Sequence, residues 1–290
     1  MSNGGKTTGS NSERKRKVRR GEPIECRGLI FYPILMAQYE EFLECQTALL
    51  LRMTSLPVQY MAMPLLAALW AMDIDSIKAT GKIVGLFERV IHFLYLSLRL
   101  GYDRKDIIRT VKFDTSDIRK LTHIEVTQDG NAVQITTREF SVYYRPLMAE
   151  QNGLTLPDES MTPELVKAEQ DLQRLHALPV NYDVDTLIAS VAYQSLVDER
   201  EIDDWTVYQF DRRRNAIDRD KHFMLFGQAE MSGMVKFKKG NPYRSWCFDP
   251  VQGITPALRT ASDVTQNVKA VGDVATAVQA SRGQTQTQKS

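Results

Sequence analysis

Cysteine is scarce: Cys26, Cys45 and Cys247 are the only three in 290 residues, widely spaced and without a CxxC pair. An odd count at such spacing excludes a disulfide framework and a cysteine-built zinc site, and suits reduced thiols in a reducing compartment. Histidine is scarce too, and His92, His123, His176 and His222 show no metal-ligand spacing. No GxGxxG, HExxH, GxSxG or calcium-loop pattern occurs, and Gly5-Lys6-Thr7 lacks the first glycine and the preceding strand of a phosphate loop. No catalytic residue, no metal and no cofactor is therefore expected. The polar N-terminus leads into no apolar h-region, so no secretory signal is read. One charge-free run, residues 53–72, has the length of a membrane span, but Pro57 and Pro64 interrupt it and its first half is polar. It reads as a buried core helix.

What is present is ordinary globular material, 43% hydrophobic and 25% charged, enough for a core and enough length for one large domain or two. The net charge of +1 argues against a nucleic-acid coat. Its distribution is uneven. Residues 1–22 hold seven basic groups against Glu13 and Glu22, which leaves the body between the two ends mildly acidic. Such a front arm suits RNA, DNA or an acidic partner, or is simply a solvated tail.

Periodicity predicts a mainly α fold with one small β-hairpin near the middle and disordered termini. Residues 28–32 read as a short strand closed by Pro33, and residues 34–52 as a helix. A second helix is expected over 58–72. A third is capped by Asp73, Asp75 or Ser76 and is strongest over 83–100. Alternating residues on both sides of Asp129-Gly130 give the hairpin, since those two residues tolerate the positive φ of a primed turn. Thr137 is the expected cap of a helix to about residue 151, kinked at Pro146. Further helices are expected over 163–175, from Asp183, and from Asp203 or Asp204 to about Ser232. The domain reading is a disordered basic arm (1–22), a helical half ending in hairpin and helix (23–150), a second helical half (151–249), and a disordered or marginally helical tail (250–290). In that tail Val264, Val268, Val271, Ala275 and Val278 lie on one helical seam.

Candidate partner or nucleic-acid contacts are Arg14, Lys15, Arg16, Lys17, Arg19 and Arg20 in the arm. Lys236, Tyr243, Arg244 and Trp246 form a second mixture of cations and aromatics, which can stack bases, anchor a partner or close the core. Arg212-Arg213-Arg214 is interleaved with Asp211, Asp218 and Asp220 and reads first as a self-paired, solvated face.

Three stretches resemble a known family. They are Leu29-Ile30-Phe31-Tyr32-Pro33-Ile34 before a helix with Tyr39 and Phe42; Gln151-Asn152-Gly153-Leu154; and Asp218-Arg219-Asp220-Lys221 through Phe237-Lys238-Lys239-Gly240-Asn241-Pro242-Tyr243-Arg244-Ser245-Trp246. Together they resemble tail assembly chaperone-like proteins of bacteriophages and prophages of Gram-positive hosts. The resemblance implies a helical, non-enzymatic protein of the bacterial host cytoplasm that binds tape-measure and tail-tube proteins during virion assembly. Membrane partners are not expected. Two other functions stand beside it: a structural tail or particle component, and a nucleic-acid-binding protein that uses the basic arm.

Overall fold

The computed structural model describes residues 7–101, 110–160, 168, 183–233, 243 and 245–248. They fall in two units, one drawn from Met1–Pro163 and Val180–His222, the other from Glu164–Pro179 and Phe223–Ser290. Helices predominate, as expected, but the strands exceed one hairpin: β1 (Ile24–Cys26) and β2 (Leu29–Phe31) pair by themselves, and β3 (Val111–Asp114), β4 (Asp117–Gln128) and β5 (Asn131–Thr136) form a three-stranded antiparallel sheet.

The first departure is at the N-terminus. Residues 7–20, expected to be disordered, form a helix, α1 (Thr7–Arg20). Local composition gave no reason for it, because Val18 is its one aliphatic side chain. The cause is tertiary. Val18 is 5% exposed within the core, Arg14 pairs with Glu150, and Gly21 ends the helix at φ +70°, so close to Thr206 that a Cβ would lie 2.9 Å from its methyl. Only glycine takes that conformation and that approach without strain.

β1 (Ile24–Cys26) and β2 (Leu29–Phe31) close through Arg27 and Gly28, both at positive φ, as a two-residue primed turn requires. β2 lies within the strand expected over 28–32, where five apolar or small residues run together; β1, with Glu25 between Ile24 and Cys26, carries no such run. A 3-10 turn (Met36–Gln38) then leads into α2 (Tyr39–Leu49). The expected helix over 58–72 is two helices, α3 (Val58–Met61) and α4 (Leu65–Thr80), with Pro57 and Pro64 at the two N-cap positions. Proline has no N–H to leave unpaired, so each starts a turn and neither is tolerated inside one. Among the described residues no helix is long and apolar enough to cross a membrane.

Asp73, Asp75 and Ser76 lie inside α4, not at the start of the next helix. Asp73 nevertheless performs a cap across space. Its Oδ1 accepts from the N–H groups of Val84 and Gly85, at 3.0 and 3.1 Å, just before α5 (Leu86–Leu98). Burial pushes its carboxyl above the usual range, and the two N–H donors pull it back.

β4 (Asp117–Gln128) and β5 (Asn131–Thr136) turn at Asp129 and Gly130, as read from the sequence, and β3 (Val111–Asp114) adds an edge. The cap of the next helix is Thr136, one residue before the expected Thr137, in a reciprocal box with Glu139. That helix, α6, runs from Thr137–Glu139 through a widened π segment, Phe140–Tyr144, into Arg145–Gln151. Pro146 accounts for the widening, since its ring would clash with the carbonyl four residues back in a regular helix.

α7 (Val184–Ser195) starts at Asp183 as expected. The long C-terminal helix does not start at Asp203 or Asp204. A short α8 (Glu199–Asp203) ends there, and α9 (Val207–Met231) begins after Thr206, whose hydroxyl accepts from the Gln209 N–H and whose own N–H donates to Gln209 Oε1. The expected helix over 163–175, apart from residue 168, and the tail over 250–290 lie outside the described residues.

One hydrophobic cluster takes side chains from both expected halves, so residue 150 does not separate two cores. Aromatic contacts trace it: Phe93 of α5 meets Phe42 of α2, Phe42 stacks on Tyr39, and Tyr39 meets Phe210 of α9, with centroids 5.7–5.9 Å apart. Three buried amides fasten the chain around it. Gln128 exchanges two hydrogen bonds with Ile30, Gln151 donates to the Phe31 carbonyl, and Asn152 accepts from the Ile34 N–H. The first two stretches carrying the family resemblance are therefore neighbours in space.

Candidate functional site

α1 turns half of the six predicted arm cations into a wall. Lys15, Arg16 and Arg19 face a cleft of about 650 Å³ whose other side is Tyr208 and Arg212 of α9, with Gly153 and Leu154 from the turn after α6. Gly153 sits at φ +72°, and a Cβ there would meet Tyr208 at 2.8 Å, so a glycine is what lets this turn touch α9. Arg212 also lines a neighbouring cleft of about 720 Å³ with Arg213 and Trp205. The two depressions share that side chain.

The remaining predicted arm residues serve elsewhere. Arg14 is engaged by Glu150, and Arg20 lies 3.4 Å from Glu22. Lys17 faces a separate depression beside Glu13 and Glu25. In the second predicted patch, Lys236 and Arg244 lie outside the described residues. Tyr243 stacks on Phe226, centroids 5.3 Å apart and planes 7° from parallel. Trp246 is 61% exposed, so it does not close the core.

The arginine run of α9 is only partly self-paired. Arg214 bonds Asp211 at 3.0 Å, as its i,i+3 spacing implies. Arg212 lies over the Tyr208 ring at 5.7 Å and Arg213 over Trp205 at 5.3 Å. Cation–π contact orients both guanidinium groups while leaving their charge unneutralised. The four-residue spacing of Tyr208 and Arg212 was visible in the sequence. The approach of α1 to them was not.

Sequence reading also missed a cluster with the outline of a nucleophile and its base. Cys45 Sγ lies 3.4 Å from His92 Nδ1, and His92 Nε2 lies 3.1 Å from Glu41. Its signal was faint, since only Glu41 and Cys45 share helical spacing. Burial, aided by Glu44, pushes the thiol up to about 12, and Cys45 is 1% exposed. At neutral pH it is a protonated core thiol and not a nucleophile. Arg145, 7% exposed, donates to the carbonyls of Leu49 and Leu51 and so finishes α2. Among the described residues no group of three or more histidine, cysteine or carboxylate side chains is placed to hold a metal ion.

A different surface is apolar. On the far part of α9, Met224 is 55% exposed, Leu225 61% and Met231 90%; Phe248, near Trp246, is 73% exposed. No protein-family model, curated protein or solved structure matches this chain.

Proposed function

We propose that the chain is a non-catalytic interaction protein of phage tail assembly, of the tail-assembly-chaperone kind. It would bind tape-measure and tail-tube proteins in the cytoplasm of the bacterial host. The observation that carries this reading is the exposure of large apolar side chains, Met224, Leu225 and Met231 on α9 and Trp246 and Phe248 after it. Large apolar side chains left in water favour a covering partner by about 25 cal/mol per Å² buried. Methionine and leucine adapt their shape to varied apolar helices, and tryptophan anchors interfaces. The surface overlaps the third stretch of the family resemblance, residues 218–246, which supports assigning it to the same class of partner.

The test is capture of the tagged chain from its native cells with nuclease present, with co-purifying proteins identified by mass spectrometry. Tape-measure or tail-tube protein is expected with the unaltered chain. Met224→Glu combined with Leu225→Glu is expected to lower its recovery at least about tenfold, with the melting temperature unchanged. Recovery of neither protein by the unaltered chain overturns the reading. A fixed copy number in purified particles would instead make the chain a structural component.

A further inference from the structure

We propose that the cleft between α1 and the first turns of α9, together with the neighbouring cleft along α9 that shares Arg212, binds single-stranded nucleic acid through its phosphates. This is independent of the apolar surface above. Five cations converge there from segments almost two hundred residues apart: Lys15, Arg16 and Arg19 on α1, Arg212 and Arg213 on α9. None of the five has an acidic partner among the described residues, and the single carboxylate in the lining, Glu150, is held by Arg14. The clefts are fastened in place by buried Val18 and by two close glycine contacts, Gly21 on Thr206 and Gly153 on Tyr208. The charge is therefore arranged by the fold and is not a loose tail.

The shape selects the occupant. The cations line concavities, whereas reading a duplex requires a protruding helix or ribbon to enter a groove. A flexible single strand can instead lay its phosphates along the clefts. Arg212 and Arg213, each backed by an aromatic ring, present flat guanidinium faces on which bases stack and forks that match phosphate oxygens. An acidic peptide fits less well. The apolar side chains of the cleft walled by α1 are Val18, already buried, with Leu154 and Tyr208, and in the neighbouring cleft the Trp205 ring is covered by Arg213, which leaves few of the hydrophobic anchors that give peptide docking its affinity.

The probe is a fluorescein-labelled oligothymidylate about a dozen nucleotides long, titrated with the full chain and followed by anisotropy across a salt series. Arg16→Ala with Arg212→Ala is expected to weaken binding at least about tenfold and to flatten the slope of log affinity against log salt by about 1.4, two phosphate contacts' worth. Arg138→Ala with Arg200→Ala removes the same charge from exposed positions outside the clefts and should stay within about twofold. Arg212→Lys should keep the slope, because it keeps the charge. Equal weakening by both double variants overturns the proposal and leaves only diffuse charge. So does absence of binding at low salt, tighter binding of duplex than of single strand, or displacement of the oligonucleotide by polyglutamate at matched charge. Capture of tail proteins, or its failure, bears on none of these outcomes.

Discussion

The two ends of α9 share one helix and opposite surroundings. At the start, Val207 and Phe210 are fully buried. The Val207 N–H donates to the Ile34 carbonyl, whose own N–H donates to Asn152. At the far end, Met224, Leu225 and Met231 face water. Both ends are rich in apolar residues, so composition alone does not distinguish them. Nor does spacing. A core stripe steps by three or four residues, and it can be followed from Val207 through Phe210 and, seven residues on, to Ile217, which packs against the cluster. The same seven-residue step reaches Met224 and Met231. One face of α9 therefore runs from buried side chains to exposed ones, and what differs between its ends is the packing around it, which the pattern does not encode.

The contrast is broken most severely at the buried end. Phe210→Ala removes a ring that meets Tyr39 and is expected to cost about 3–5 kcal/mol in urea unfolding. Asn152→Ala strands the buried Ile34 N–H and loosens the link to Val207, with an expected loss of about 1–3 kcal/mol. Gly153→Ala forces an alanine to positive φ against Tyr208 and should cost about 1–2 kcal/mol from the backbone alone. The shifted tyrosine should weaken oligonucleotide binding as well. At the exposed end, Met224→Gln with Leu225→Gln is expected to change stability by less than about 0.5 kcal/mol. A larger loss there would mean that the far end is packed after all, and would remove the support for a partner surface.

Much of the architecture was legible because it was local. Asp129-Gly130 declared the β4–β5 hairpin, and Asp183 and Pro57 marked helix starts, since each acts through its own backbone; Pro64, expected within one helix, begins another. What was not legible depends on distant neighbours. α1 looks like a disordered tail until Val18, Gly21 and Arg14 are seen against the core, Thr206 and Glu150. Asp73 is a helix cap in function, but for the helix that follows across a turn, through the N–H of Val84 eleven residues on. The candidate clefts follow the same rule. Each cation was visible, and even the Tyr208–Arg212 spacing was, but a wall of α1 beside α9 requires the tertiary fold. Lys15, Arg16 and Arg19 were grouped with Arg14, Lys17 and Arg20 by sequence, and helical geometry divides them between different faces.

The unequal placement of the three thiols gives the molecule a built-in attachment point. Cys45 is sealed in the core with its thiol at about 12, and burial also pushes Cys26 upward, whereas Cys247 is exposed. A maleimide dye should therefore react first at Cys247, beside Trp246 and Phe248. A single-colour reporter would then sit beside those two exposed aromatic side chains without any engineered residue, its emission responding when a partner covers them.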